Sequence, residues 1–181
     1  IRALSEACTR IVQTLDVLID VDPGMGRTGT PPENVHALAD EIALHANIRL
    51  RGVQCYAGTV QHVKTFEKRR ELSKQRMAPA ARVYRALCAA GGDLDIFSGA
   101  GTGTFDIDSD LPELSEMQVG SYCLMDSGYG EIDGRQDQLC DFFETALSIH
   151  SAVVHINHDR TYTIDAGLKA LTSRLHHHQR L

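Results

Sequence analysis

The feature that most constrains the fold is a repeated alternation of short apolar strands and amphipathic helices. Strands are predicted over residues 15–22, 48–56, 94–97 and 121–125, and helices over residues 2–13, 30–43, 64–90 and 139–146. The first strand, LDVLIDVD, is rich in β-branched residues, as a strand buried on both faces should be. Strand followed by helix, repeated along a chain, is typical of parallel βαβ units. The sequence therefore predicts an α/β fold.

Local residues predict how the helices begin and where they are disturbed. Thr30 is expected to cap the second helix, with Pro31 at its first position and Glu33 completing a capping box. Pro79 is expected to kink the long helix or split it in two. The basic residues of that helix alternate with acidic ones, which indicates a solvated face: Lys64, Lys68, Arg69, Arg70, Lys74 and Arg76.

The pattern changes after about residue 147. Residues 148–156 and 161–164 resemble two strands joined by a tight turn at residues 157–160, which is the pattern of a β-hairpin. We therefore expect a parallel α/β domain over residues 1–147 and the start of a β domain over residues 148–181. Ile1 opens inside a helix and the chain ends in HHHQRL, so we expect it to be incomplete at both ends.

Composition narrows the class of function. The net charge of −6 argues against nucleic acid or a membrane surface as partner, because both require a basic protein. We find neither a signal peptide nor an apolar run long enough to span a bilayer. The five cysteines are scattered, so we expect reduced thiols in a cytoplasmic protein.

Glycine-rich loops fall at the expected strand ends, where parallel α/β proteins bind ligands. The loops lie at residues 24–29, 98–104 and 120–121. Glycine lets backbone N–H groups approach an anion closely, and neighbouring Thr and Ser hydroxyls add donors. Together the three loops predict a phosphate site, although each one alone would more often be a plain turn.

For other candidate residues near the strand ends, the sequence allows either a structural or a functional role. Arg27 is either a solvated arginine or a fixed cation at the mouth of the site. His62 is more often structural than catalytic in such a position, and Tyr122 and Tyr129 are packing residues unless a ligand is present. The spacing of His155 and His158 in a hairpin does not favour a metal site.

Four motifs occur in an order that resembles a known family. They are VDPGMGRTG at residues 21–29, LRGVQCYAG at 50–58, SGAGTGTF at 98–105 and EMQVGSY at 116–122. The chain resembles, over roughly residues 15–170, the D-threonine aldolase, 3-hydroxy-D-aspartate aldolase and D-serine dehydratase-like family of pyridoxal-phosphate enzymes. Residues 165–171 resemble the opening of that family's C-terminal β domain.

The resemblance implies a fold and a cofactor site. The fold is part of an alanine-racemase-like (β/α)8 TIM barrel, followed by the start of a C-terminal β domain. By resemblance, Arg27 faces the pyridine nitrogen of pyridoxal 5′-phosphate. Thr102, Gly120 and Ser121 match positions that hold the phosphate, and Tyr56 and Tyr129 match further cofactor contacts.

The chain departs from the family pattern in three places. The lysine that binds the cofactor as a Schiff base lies, in this family, on a first barrel strand upstream of these residues, so we expect no catalytic lysine here. The family's metal ligands, late in the β domain, are also absent from the chain. Gly58 is followed by Thr59 where many relatives have Gly-His.

The implied activity belongs to the intact parent protein. It is a lyase that cleaves D-3-hydroxy-amino acids to glycine and an aldehyde, with pyridoxal 5′-phosphate and a divalent metal, Mn or Mg. The implied assembly is a homodimer. The alternatives are a D-serine or hydroxyaspartate dehydratase of the same family and a non-catalytic cofactor-binding remnant.

Overall fold

The computed structural model describes residues 1–135 and 142–167. The chain divides after Glu144 into two compact units. The first unit contains a parallel sheet with helices, and the second contains a β-hairpin.

The first unit alternates helices and strands as the sequence predicts. Its elements in chain order are α1 Arg2–Ile11, β1 Leu15–Asp20, α2 Val35–Ala43, β2 Ile48–Cys55, α3 Phe66–Ala89, β3 Ile96–Gly99, α4 Phe105–Asp108, β4 Glu116–Met117 and α5 Ser127–Gly130. The strands lie in the order β1-β2-β3-β4, and every neighbouring pair is parallel. The predicted α/β fold with a parallel sheet is therefore confirmed.

The sheet has one apolar face and one polar face. Ile19, Val53 and Phe97 are buried in the main hydrophobic core. On the other face a polar row crosses the sheet, because Asp20 pairs in register with Gln54, and Gln54 with Ser98. Gln118 ties the row together by donating to Gln54 Oε1 at 2.8 Å and to Ser98 Oγ at 3.1 Å.

The segment before α2 differs from the prediction. The prediction that Thr30 caps the helix is wrong, because Thr30 forms an isolated parallel bridge with Val21 and its N–H donates to Asp20 O at 2.8 Å. The structure, which describes all of residues 30–43, shows no side-chain cap at the 3₁₀ turn Pro32–Asn34 or at α2. Backbone pairing of Thr30 with the sheet thus replaces the capping box.

The long helix α3 is continuous. It runs from Phe66 to Ala89 with Pro79 inside it, so of the two predicted effects of Pro79, a kink or a split, the split is wrong. Leu87 is buried in the core and Tyr84 packs against the core, so the last turns of α3 face inward.

The predicted strand over residues 121–125 is wrong. The fourth strand is Glu116–Met117, and Ser121–Cys123 forms a single 3₁₀ turn. Met125 then adopts a left-handed φ of 53°, which a strand does not accommodate. Residues 142–146, the described part of the helix predicted over 139–146, form no helix, and residues 139–141 of it lie outside the described residues.

The second unit confirms the predicted hairpin. Strands β5 Val153–His158 and β6 Thr161–Ile164 pair antiparallel, and Arg160 in the turn has a left-handed φ of 62°. Ala152 and Asp165 extend the pairing with a backbone hydrogen bond of 3.1 Å. Residues 168–181 lie outside the described residues, so the extent of a β domain stays a prediction.

Cysteines in the described part of the chain are free thiols. They are Cys8, Cys55, Cys88 and Cys123, whereas Cys140 lies outside the described residues. Burial raises the pKa of Cys55 to about 12, so this thiol stays protonated and unreactive. In residues 1–135 and 142–167, no helix combines the length and apolar character needed to cross a membrane.

Gly52 provides a test of the strand packing. It has a φ of +155°, and a Cβ at this position would overlap the carbonyl oxygen of Ile96 on β3. We expect Gly52→Ala to lower the free energy of unfolding by about 3 kcal/mol, because the adjacent strands would have to separate. Urea unfolding of Gly52→Ala measures this loss of stability. The control is Gly130→Ala, because a Cβ on Gly130 would contact nothing within 4 Å. Equal stability of the two variants would contradict the packing described.

Candidate cofactor site

The loop after β1 is organised by one carboxylate. Asp22 Oδ1 accepts the N–H groups of Gly24 at 3.0 Å, Met25 at 2.7 Å and Gly26 at 3.2 Å. These hydrogen bonds, led by the one from Met25, lower the pKa of Asp22. The amides of Gly24 and Gly26 thus donate to the protein's own carboxylate in this structure.

Arg27 extends from the same loop toward the end of β2. Its guanidinium carbon lies 5.4 Å from the centroid of the Tyr56 ring, a cation–π distance. Tyr56 in turn borders the loop after β3, since a Cβ on Gly101 would lie 3.0 Å from Tyr56 Cε2. The ends of three neighbouring strands thus meet at the Tyr56 ring.

The loop after β3 forms a tight turn at residues 101–104 whose inward polar groups are satisfied by the protein. Gly103 N–H donates to Gln61 Oε1 at 2.9 Å, and Gln61 Nε2 donates to Thr104 Oγ1 at 3.1 Å. Gly101 N–H donates to the same Thr104 oxygen at 3.2 Å. The amides of Gly101 and Gly103 therefore also donate to side chains of the protein itself.

Arg69 is the largest departure from the sequence prediction. The prediction placed it on a solvated face, but only 2% of its surface is exposed. Its Nε donates to Gly103 O at 2.7 Å, and its other nitrogens donate to the carbonyls of Val63, Lys64 and Asp133. The helical spacing of Phe66, Arg69, Ser73 and Met77, all buried, is the signal that identifies this inward face.

Thr102 lies between the two glycines of the turn and connects it to the next segment. It is 4% exposed, and its Oγ1 accepts the N–H of Tyr122 at 3.1 Å. This bond brings Gly120 and Ser121, both exposed, to the turn. A Cβ on Gly120 would meet nothing within 4 Å, so the space beside this residue is open.

Tyr129 completes the arrangement. It is 6% exposed, its ring centroid lies 4.3 Å from that of His62, and its N–H donates to Asp126 Oδ1 at 2.9 Å. Burial raises the pKa of Tyr129, a hydrogen bond with the Ser121 side chain opposes this, and the proximity of Tyr56 adds to the rise. The phenol therefore stays neutral at ordinary pH and keeps a proton to donate.

The structure brings the six predicted site residues into one region: Arg27, Tyr56, Thr102, Gly120, Ser121 and Tyr129. The region combines an exposed guanidinium, aromatic surface, four hydroxyl groups and an open glycine. Hydroxyls and open backbone suit a phosphate, and a guanidinium beside an aromatic face suits a planar heterocycle. The residues present therefore fit a phosphorylated pyridine.

The described residues include neither a buried lysine nor a metal-binding cluster of side chains. Lys64, Lys68 and Lys74, the lysines of the described part of the chain, are all exposed around α3, and Lys169 lies outside the described residues. In residues 1–135 and 142–167, no group of three or more His, Cys, Asp or Glu side chains is arranged to hold a metal ion.

Comparison with known proteins places the chain in a family. Residues 1–128 match the family described as alanine racemase, N-terminal domain. The chain thus belongs to the alanine racemase N-terminal domain family, and its sheet is part of an alanine-racemase-like α/β barrel. The resemblance drawn from the four motifs is confirmed by the relatives that follow.

The chain is similar to aldolases and to a dehydratase. It is 34% identical over 170 residues to a 3-hydroxy-D-aspartate aldolase of Paracoccus denitrificans (strain Pd 1222), covering 92% of this chain and 44% of that relative. The crystal structure of D-threonine aldolase from Filomicrobium marinum is 30% identical, with a TM-score of 0.82, over 94% of this chain and 45% of that one. The structure of D-threo-3-hydroxyaspartate dehydratase from Delftia sp. HT23 is 26% identical, with a TM-score of 0.75. The match covers 94% of this chain and 44% of that one. The chain thus spans less than half the length of these proteins.

Because the pKa of Asp22 is lowered in the folded protein, we expect the stability of the protein to depend on pH. The stabilising effect of the Asp22 carboxylate is present above the ordinary aspartate pKa of about 3.9 and is lost as the pH falls through the lower folded-state value. We expect Asp22→Asn to be less stable than the wild type at pH 7, and the difference to shrink below about pH 4. Urea unfolding of both proteins at pH 7 and pH 3 measures it. A difference that stays constant with pH would show that the charge of Asp22 does not hold the loop.

Proposed function

We propose that this chain forms the cofactor-binding part of a pyridoxal-phosphate lyase that cleaves D-3-hydroxy-amino acids to glycine and an aldehyde. The observation that supports it is the convergence of Arg27, Thr102, Ser121 and Tyr129 at one edge of the sheet. The similarity to aldolases acting on hydroxylated D-amino acids supports the substrate class.

Different residues of the site would bind the two ends of the cofactor, the phosphate and the pyridine nitrogen. The hydroxyls of Thr102 and Ser121 and the open backbone at Gly120 would hold the phosphate. Arg27 would face the pyridine nitrogen, and because a guanidinium does not give up its proton in proteins, the ring nitrogen would stay unprotonated. The bound cofactor supplies an electron sink for cleavage next to the α-carbon.

The aromatic residues would fix the plane of the cofactor ring. Tyr56 lies beside the Arg27 guanidinium, and Tyr129 is buried with its ring against that of His62. A neutral Tyr129 can donate a hydrogen bond to an anionic oxygen without a charge penalty. Both side chains are therefore positioned before the cofactor binds, which lowers the entropy lost on binding.

The remaining parts of the enzyme belong to the full-length protein under this proposal. The catalytic lysine would lie on a barrel strand outside this chain, and a divalent metal, Mn or Mg, would orient the substrate hydroxyl. The barrel would end near residue 147 and be followed by a β domain. We propose a homodimer that works in the cytoplasm.

A dehydratase is the second candidate function. The similarity to D-threo-3-hydroxyaspartate dehydratase supports it, because the substrate class is the same and the site described here would bind the same cofactor. A dehydratase would eliminate water and release ammonia rather than glycine.

Product analysis separates these functions. We expect the full-length protein, supplied with pyridoxal 5′-phosphate and manganese, to convert D-threonine or 3-hydroxy-D-aspartate to glycine and an aldehyde. Removal of the metal with a chelator should abolish turnover, and added manganese should restore it. Ammonia and an oxo acid without glycine would contradict the aldolase and favour the dehydratase. Cofactor binding without turnover of any D-3-hydroxy-amino acid would show a non-catalytic binding protein.

A further inference from the structure

We propose that Arg69 and Gln61 are positioning residues that hold the turn at residues 101–104 in the shape that presents Thr102 to the cofactor phosphate. The inference rests on the proposed function, since it assigns a role toward the same cofactor. Neither residue is among those that the family resemblance places in contact with the cofactor, and both would act through the backbone of the turn.

Arg69 connects the turn to the loops around it. Its Nε donates to Gly103 O at 2.7 Å, its Nη1 donates to Val63 O at 2.7 Å and Lys64 O at 3.0 Å, and its Nη2 donates to Asp133 O at 2.6 Å. These carbonyls belong to the loop after β2, the loop after β3 and the segment after α5. One planar guanidinium therefore fixes three segments of the site relative to each other.

Gln61 holds the opposite side of the same peptides. Its Oε1 accepts the Gly103 N–H at 2.9 Å, and its Nε2 donates to Thr104 Oγ1 at 3.1 Å and to Ala57 O at 3.3 Å. A Cβ on Gly103 would overlap the Gln61 carbonyl, and a Cβ on Gly101 would collide with the Gln61 side chain. The glycines of this turn are thus required by contact with Gln61.

The consequence for Thr102 follows from its position. Gly103, its neighbour, is bonded through its N–H to Gln61 and through its C=O to Arg69, so the backbone on that side of Thr102 cannot rotate without breaking a buried hydrogen bond. Thr102 Oγ1 also accepts the Tyr122 N–H, which leaves its own hydroxyl hydrogen to donate elsewhere. A phosphate oxygen bound between Thr102 and the open space at Gly120 would meet a donor whose direction is already set.

If Arg69 only stabilised the fold, an apolar residue of similar volume would serve better at this position. Burying a guanidinium carries a large desolvation cost, and apolar residues of similar volume often replace buried charged groups without loss of stability. Arg70, one position along α3, shows the ordinary alternative, since it is exposed and pairs with Glu67 at 2.7 Å. The buried arginine is at the position whose nitrogens reach the turn.

The test compares two ligands that differ only in the phosphate. Pyridoxine 5′-phosphate and pyridoxine have no aldehyde, so their affinities report cofactor contacts without a Schiff base. We expect Arg69→Met and Gln61→Met in the full chain to weaken binding of pyridoxine 5′-phosphate at least about tenfold, as Thr102→Val should, while pyridoxine affinity stays within about twofold. Arg69→Lys, which keeps a donor, should restore part of the affinity. Arg70→Met is the matched control and should leave both affinities unchanged.

The outcomes separate the inference from the proposed function. Isothermal titration gives the affinities, and thermal unfolding identifies variants that fold. If Arg69→Met does not fold, the same comparison of the affinities for pyridoxine 5′-phosphate and pyridoxine is made with Arg69→Lys and Gln61→Met. Equal loss of both ligands, or no loss of either, in a folded variant would overturn the positioning role and leave the cofactor site in place. A wild-type chain that binds neither ligand would overturn the cofactor site and the positioning role with it.

Discussion

The site depends on the parallel pairing of β1, β2 and β3. Because these strands run in the same direction and in register, their carboxyl ends lie side by side, and the loops that follow them meet at one edge of the sheet. Arg27, Tyr56 and Thr102 are separated by long stretches of sequence but follow three adjacent strands. A change that shifted the register of β2 would therefore displace Tyr56 relative to both Arg27 and Thr102.

The loops that surround the site are held by the protein's own polar side chains. Asp22 accepts the amides of the loop after β1, and Gln61 and Arg69 satisfy the turn after β3 from both sides. Buried peptide groups must find partners, and here buried or partly buried side chains supply them. The hydroxyls of Thr102, Ser121 and Tyr129 remain as the groups for a ligand. Preformed loops of this kind reduce the entropy that ligand binding must overcome.

The strand and helix order could be predicted from the sequence because apolar runs and glycine-rich breaks are local signals. The four motifs supplied five of the six candidate site residues, which the structure brings into one region. The roles of the glycines could not be predicted, because the sequence does not show that Asp22 and Gln61 would accept hydrogen bonds from the glycine N–H groups. Arg69 was missed because a charged residue in a basic helix is usually exposed. Its spacing from Phe66 and Ser73 placed it on the buried face. The segment at residues 121–125 was misassigned because the left-handed backbone of Met125, a non-glycine residue, leaves no mark in the sequence.

A crystal structure of the protein with pyridoxal 5′-phosphate tests the central claim most directly. We predict the phosphate bonded to the hydroxyls of Thr102 and Ser121 beside Gly120, with the pyridine nitrogen facing the Arg27 guanidinium and the turn at residues 101–104 unchanged. A cofactor bound away from these residues, or a phosphate held by the amides of residues 24–26 after they leave Asp22, would contradict the site described here.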